Sequence, residues 1–107
     1  MFYKASTAGY KTVFGSAKRK TLVHGERTLL TKFNFSKGTL VPKHQHPNEQ
    51  TGYLISGLMR LTIGDQVNIV NPGDSWNLSE GMAHSVEVLE DSVAVEVFSP
   101  VREDYLP

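Results

Sequence analysis

His44 and His46 stand two residues apart, and on an extended segment that spacing sends both imidazoles to one face with Cα atoms roughly 6.6 Å apart. Side chains so placed can converge on one metal ion. Pro47 breaks the strand after them, and Gln50 follows at a separation that lets a short loop return its side-chain oxygen toward the same point. His84 must arrive from a distant strand. A fourth histidine, His24, lies beside Gly25 and Glu26 and reads as an ordinary hydrogen-bonded residue with no role. Different chemistry is suggested by Glu96, the one carboxylate inside the apolar run 92–98, because burying an ionised carboxylate without a partner is costly. Ala94, Glu96 and Phe98 share a face by alternation. If that face and the one presenting His84, Val86 and Val88 both point inward, Glu96 lies in the metal cavity. Arg102 follows Ser99-Pro100 closely enough to hang over the cavity mouth, where its planar fork could grip a ligand carboxylate.

The elements that must position these residues read as strands. No stretch keeps a helical period, whereas short alternating runs rich in Val, Ile, Thr and Phe recur between glycine-bearing turns. Residues 28–35 alternate Leu29, Thr31, Phe33 and Phe35 with Leu30, Lys32 and Asn34, and Ser36-Lys37-Gly38 turns the chain. Residues 58–63 place Met59, Leu61 and Ile63 on one face, and 66–70 return after Gly64-Asp65, a pair suited to a tight hairpin. Asn71-Pro72-Gly73-Asp74 reads as another turn, with further strands expected at 75–78, 84–89 and 92–98. Many short strands at this spacing imply a sandwich or barrel. Residues 1–19 carry weak signals and read as an amino-terminal arm that could add a strand to a neighbouring subunit, while the polar tail 100–107 could cover one barrel mouth.

Composition narrows the class. A chain of 107 residues fits one domain, 1–107, and a core this small is marginal without a partner. Lys plus Arg and Asp plus Glu are both 11, so there is no electrostatic footprint for nucleic acid, and the short Lys18-Arg19-Lys20 run reads as a solvated loop. Cysteine is absent, which excludes disulfides and thiolate ligands and leaves His, carboxylate and amide groups to hold a metal. The basic first twenty residues contain no signal-peptide core and nothing downstream approaches a membrane span, so a cytoplasmic protein is expected.

The segment from Gly38 through His44-Gln45-His46 and Gln50 to Gly57 resembles the first cupin motif, 38–57, with every spacing met. The stretch 73–88, from Gly73-Asp74 to Gly81 and His84, is similar to the second, with Ser79 where proline is usual and Val88 where asparagine is frequent. The resemblance implies a cupin jelly-roll β-barrel, all-β and single-domain, that holds one divalent metal through His44, His46, Gln50 and His84. Glu49 is one residue off and would point to the other side of an extended segment. Three imidazoles and an amide leave the ion's charge uncompensated and suit Ni, Zn, Fe, Mn, Co or Cu, without choosing among them.

The tail from Glu96 through Phe98 and Arg102 to Tyr105-Leu106, with His-x-His-Pro-x-Glu-Gln and the following Gly52-Tyr53, resembles a narrower group, the pectin-degradation cupins that open 4,5-unsaturated uronate monomers to the linear keto form. That resemblance implies an isomerase acting on a sugar acid, with active-site positions at Glu96, Phe98 and Arg102; the acid in that group is typically aspartate, one methylene shorter. Trp76, Tyr53, Met59 and Met82 could line the pocket, although aromatic and Met residues on strands are usually core. Two other readings stay open: a metal-dependent dioxygenase, and a sugar- or metabolite-binding module without activity. Cupins of this size commonly pair as homodimers, which agrees with the marginal core and the apolar face of Val93, Val95 and Val97.

Overall fold

Alternating burial sets the strands and glycines set the bends. The computed structural model describes residues 1–107. Its elements, in chain order, are β1 (Lys11–Val13), β2 (Ala17–His24), β3 (Leu29–Phe35), β4 (Leu40–His44), β5 (Glu49–Ile63), β6 (Gln66–Val70), β7 (Ser75–Leu78) and β8 (His84–Ser99), followed by a 3₁₀ turn at Glu103–Tyr105. All strand pairings are antiparallel. The order across the sheet is β1-β2-β3-β8-β5-β6, with β4 added to β8 and β7 added to β5. In β3, Leu29, Thr31, Phe33 and Phe35 are buried while Leu30, Lys32 and Asn34 are only half-buried, as their alternation requires. No helix is long and apolar enough to cross a membrane.

Two long strands carry the architecture, β5 with 15 residues and β8 with 16. The first half of β5 pairs with β7 and with the second half of β8; its second half pairs with β6 and with the first half of β8, which in turn holds β4. Both strands bend where their register slips between Leu54 and Met59, and the bend brings the two halves of the sheet face to face as a jelly-roll barrel. Gly57 forms the corner. Its φ is +102°, and a Cβ there would lie 2.1 Å from Ser92 Oγ and 2.5 Å from the Asp91 carbonyl oxygen, so the crossing needs glycine on both counts. Ser92 Oγ locks the corner by accepting from the Leu58 amide at 3.1 Å and donating to the Glu90 carbonyl at 2.7 Å.

Between the halves lies a core that includes Leu29, Phe33, Leu54, Met59, Leu61, Val88, Ala94 and Phe98. Burying each larger aliphatic or aromatic side chain contributes about 1.5–3 kcal/mol. Tyr105, from the tail, joins this core, with Val101 and Leu106 packed against it, and Thr21 Oγ1 donates to the Tyr105 carbonyl.

The structure differs from the sequence reading at several places. The strands expected at 84–89 and 92–98 are one continuous β8, and Gln50 sits near the start of β5 rather than on a loop. Lys18-Arg19-Lys20 is not a loop but lies in the first half of β2. Residues 11–19, read as part of an arm reaching a neighbour, pair within the chain as Lys11 with Arg19, Thr12 with Lys18 and Val13 with Ala17.

Candidate metal centre and the acid beside it

Register brings the histidines together. His44, at the end of β4, is paired directly with His84, at the start of β8, and His46 lies just beyond in the turn that leads to β5. Ring centroids are 4.2 Å apart for His44 and His84, 5.2 Å for His46 and His84 and 5.8 Å for His44 and His46. One ring nitrogen from each lies within 4.8 Å of the others, so the three can hold a metal ion. His44 Nδ1 lies 2.8 Å from the Pro42 carbonyl and His84 Nδ1 lies 2.9 Å from the Met82 carbonyl. A carbonyl accepts from N–H, so these contacts assign the proton to Nδ1 and leave each Nε2 lone pair for a metal.

His46 Nε2 lies 2.9 Å from Gln50 Oε1, and its other nitrogen, Nδ1, is buried without a partner. Two donor atoms each about 2.0–2.2 Å from one ion, at near a right angle, are separated by about that distance, so His46 and Gln50 fit as neighbouring ligands. Burial holds His84 down to about 4, helped by the charges of His44, His46 and Arg102 and opposed by the Met82 contact. His46 is lowered too, chiefly by burial and despite its Gln50 contact. Imidazoles that stay neutral at pH 7 are ready to ligate.

Glu96 lies on the inward face of β8 and is only 8% exposed. Burial pushes its carboxyl up to about 7, while Gln50, Trp76 and Arg102 favour the charged form to a lesser degree. It lines a cavity of about 40 Å³ together with His44, His84, Gln50, Phe98 and Arg102. Arg102 is held side-on: Nε donates to Asp104 Oδ1 at 3.1 Å and Nη2 to Asp104 Oδ2 at 2.7 Å, while Nη1 donates to the Tyr105 hydroxyl at 3.1 Å. Its guanidinium carbon stands 4.0 Å from the Tyr105 ring centroid and 5.3 Å from that of Phe98. With five N–H donors in all, the edge between Nη1 and Nη2 keeps capacity for a further acceptor.

The structure thus gathers His44, His46, Gln50, His84, Glu96, Phe98 and Arg102 into one region. Glu49 is turned outward, accepting from Asn77 Nδ2 at 3.0 Å. Tyr53 and Met82 are exposed and Met59 is core, so none of the three is part of this group. Sequence reasoning named Tyr105 only within the tail motif and gave it no role; it stacks Arg102 on one side and takes the Arg19 guanidinium at 3.8 Å. The same reasoning missed Phe14, which lines the cavity with its ring centroid 6.5 Å from that of His44. Neither belongs to an alternating run; Phe14 sits in a turn with φ of +52°, and no pattern flags such a position.

This barrel, with histidines converging from the β4 end and the β8 start, is matched by the cupin domain profile over residues 31–100, and the chain belongs to the cupin family. Among curated proteins it is similar to the pectin degradation protein KdgF of Dickeya dadantii, 30% identical over 91 residues that make up 83% of each chain. Among solved structures it is similar to KdgF from a Halomonas species, with a TM-score of 0.92, 26% identity and coverage of 99% of this chain and 98% of that one. An RmlC-like cupin from Shewanella frigidimarina also superposes with a TM-score of 0.92, at 23% identity over 98% of this chain and 95% of that one, which speaks to the fold alone. The sequence similarity supports a pectin-degradation cupin.

Proposed function

We propose that this protein opens 4,5-unsaturated uronate monomers to their linear keto form, as a metal-dependent isomerase. The observation that carries the reading is a buried acid, Glu96, raised to about 7 within the same cavity as His44, His84, Gln50 and Arg102. An acid near neutrality is equally able to give and take a proton at working pH, which is what a ring opening followed by tautomerisation demands. In the proposal His44, His46, Gln50 and His84 hold one divalent metal, whose bound presence supplies Lewis-acid polarisation of sugar oxygens. Glu96 relays the proton, the free edge of Arg102 orients the substrate carboxylate, and Phe98 forms the wall. A cavity of about 40 Å³ has the volume of about one water molecule, so admitting a sugar acid requires the Phe14 side or the tail bearing Arg102 and Tyr105 to move outward.

We propose further that the protein works as a homodimer. Support comes from the outward face of β8 and β5, where Val97, Tyr53 and Ile55 are exposed and Val93 and Val95 half-buried.

The test is to incubate metal-loaded protein with a 4,5-unsaturated uronate monomer and follow the loss of its ultraviolet absorbance, beside a chelated sample and Glu96→Gln. Acceleration that disappears in both controls is expected. A loaded protein no faster than the spontaneous reaction refutes the isomerase, and consumption of dioxygen in its place identifies an oxygenase.

A further inference from the structure

Four residues lie side by side across the sheet: Thr31 on β3 is paired with Glu96 on β8, Glu96 with Gly52 on β5, and Gly52 with Trp76 on β7. Glu96 and Trp76 are therefore two strand spacings apart, roughly 10 Å between backbones, with only a glycine between them on the inward face. The space over Gly52 is filled. A Cβ placed there would lie 2.1 Å from Trp76 Cε2 and 2.3 Å from Trp76 Nε1, so the indole lies directly over the β5 backbone with Nε1 among the atoms nearest Gly52. Glycine is required here by close approach, since its φ lies outside the left-handed region.

Trp76 Nε1 is fully buried and meets no acceptor in hydrogen-bond geometry, although it is near enough to Glu96 to favour the charged carboxylate. An indole nitrogen can only donate, and a buried donor left unmatched is costly. The acidic oxygen nearest along the row belongs to Glu96. Gln50 and Arg102 also favour the charged form of Glu96, and the Gln50 oxygen is already against His46.

We propose that Trp76 is a positioning residue for Glu96: its N–H is reserved for the Glu96 carboxylate and sets the direction in which that group faces the cavity. Gly52 is the residue whose missing side chain makes this possible. The inference rests on the reading of Glu96 as the proton-transferring acid, but part of its test does not.

Trp76 is the chain's one tryptophan, so its indole N–H gives a single cross-peak in a ¹H–¹⁵N spectrum of the labelled protein. Glu96→Ala is expected to move that peak, and Gly52→Ala to move it as well. A peak unmoved by Glu96→Ala overturns the proposal whether or not the protein turns over a uronate. In the ring-opening assay, Trp76→Phe, with metal content checked, is expected to lower kcat about tenfold with KM within about twofold. The same change made on Glu96→Asp, whose shorter side chain keeps an acid but draws it back from the indole, should cost less than it does in the wild type. An equal loss in both backgrounds means that Trp76 is only packing and refutes the inference. Absence of turnover in the wild-type protein would instead count against the isomerase reading and leave the spectral result to decide this one.

Discussion

Glu96→Gln should make the metal-free protein more stable as the solution becomes more alkaline. The unfolded chain releases the Glu96 proton near 4.5, whereas the fold retains it up to about 7 because burial disfavours the charge. Between those values the native state binds more protons than the unfolded state, so this residue's contribution falls as pH rises. At about 1.4 kcal/mol per pH unit, the folded protein loses about 3 kcal/mol across that window, and water admitted to the cavity would reduce the figure. Glutamine does not titrate. The stability difference between variant and wild type should therefore be flat below pH 4.5, climb by up to about 3 kcal/mol between 4.5 and 7, and level off above. Urea unfolding at constant ionic strength with a chelator present measures it, and thermal unfolding should show the alkaline end as a gain on the order of 10 °C or more. Every other titratable group is common to both proteins and drops out of the comparison. A difference that stays constant with pH would refute the claim that Glu96 is held protonated by burial.

The acid limb should behave in the opposite sense: His84 is held down to about 4, so metal-free protein loses stability as pH falls from 6.5 toward 4. Replacing His84 by glutamine should flatten that limb in the same urea series. Gln50→Ala should weaken metal affinity by about tenfold or more, read by equilibrium dialysis and elemental analysis, with the fold intact by circular dichroism. Arg102→Lys removes the planar fork and should raise KM for the uronate about tenfold with a smaller change in kcat; a change confined to kcat would place Arg102 elsewhere in the reaction. Val95→Glu, on the outward face of β8, should convert a dimer to monomer in analytical ultracentrifugation, and an unchanged sedimentation profile would remove that face from the interface.

How much of this was legible beforehand depends on where each residue's environment is written. Strand β3 was readable because both faces declare themselves, Leu29, Thr31, Phe33 and Phe35 inward against Leu30, Lys32 and Asn34. The hairpin at Gly64-Asp65 was readable from its turn chemistry, and the histidine spacing carried the cluster because the strand period fixes which side chains share a face. Strand β2 was not, since Lys18-Arg19-Lys20 looks solvated until Arg19 is seen lying against Tyr105. The union of 84–89 with 92–98 was hidden by Glu90 and Asp91, which look like a polar turn but are the outward residues of a bend closed over Gly57. The partnership of Gly52 with Trp76 depends on β7 lying beside β5, a long-range pairing that no local pattern encodes.

The length of β8 has a further consequence. One uninterrupted strand begins at the histidine His84, ends just past Glu96 and Phe98, and is hydrogen-bonded along its course to β3, β4 and β5. Neither end can open without loosening the ladder that holds the other, so the amides of its central residues should exchange with deuterium only when the whole molecule opens. His84 and Glu96 then share one cooperative fate: a perturbation that frays the strand at either end loosens the surroundings of both.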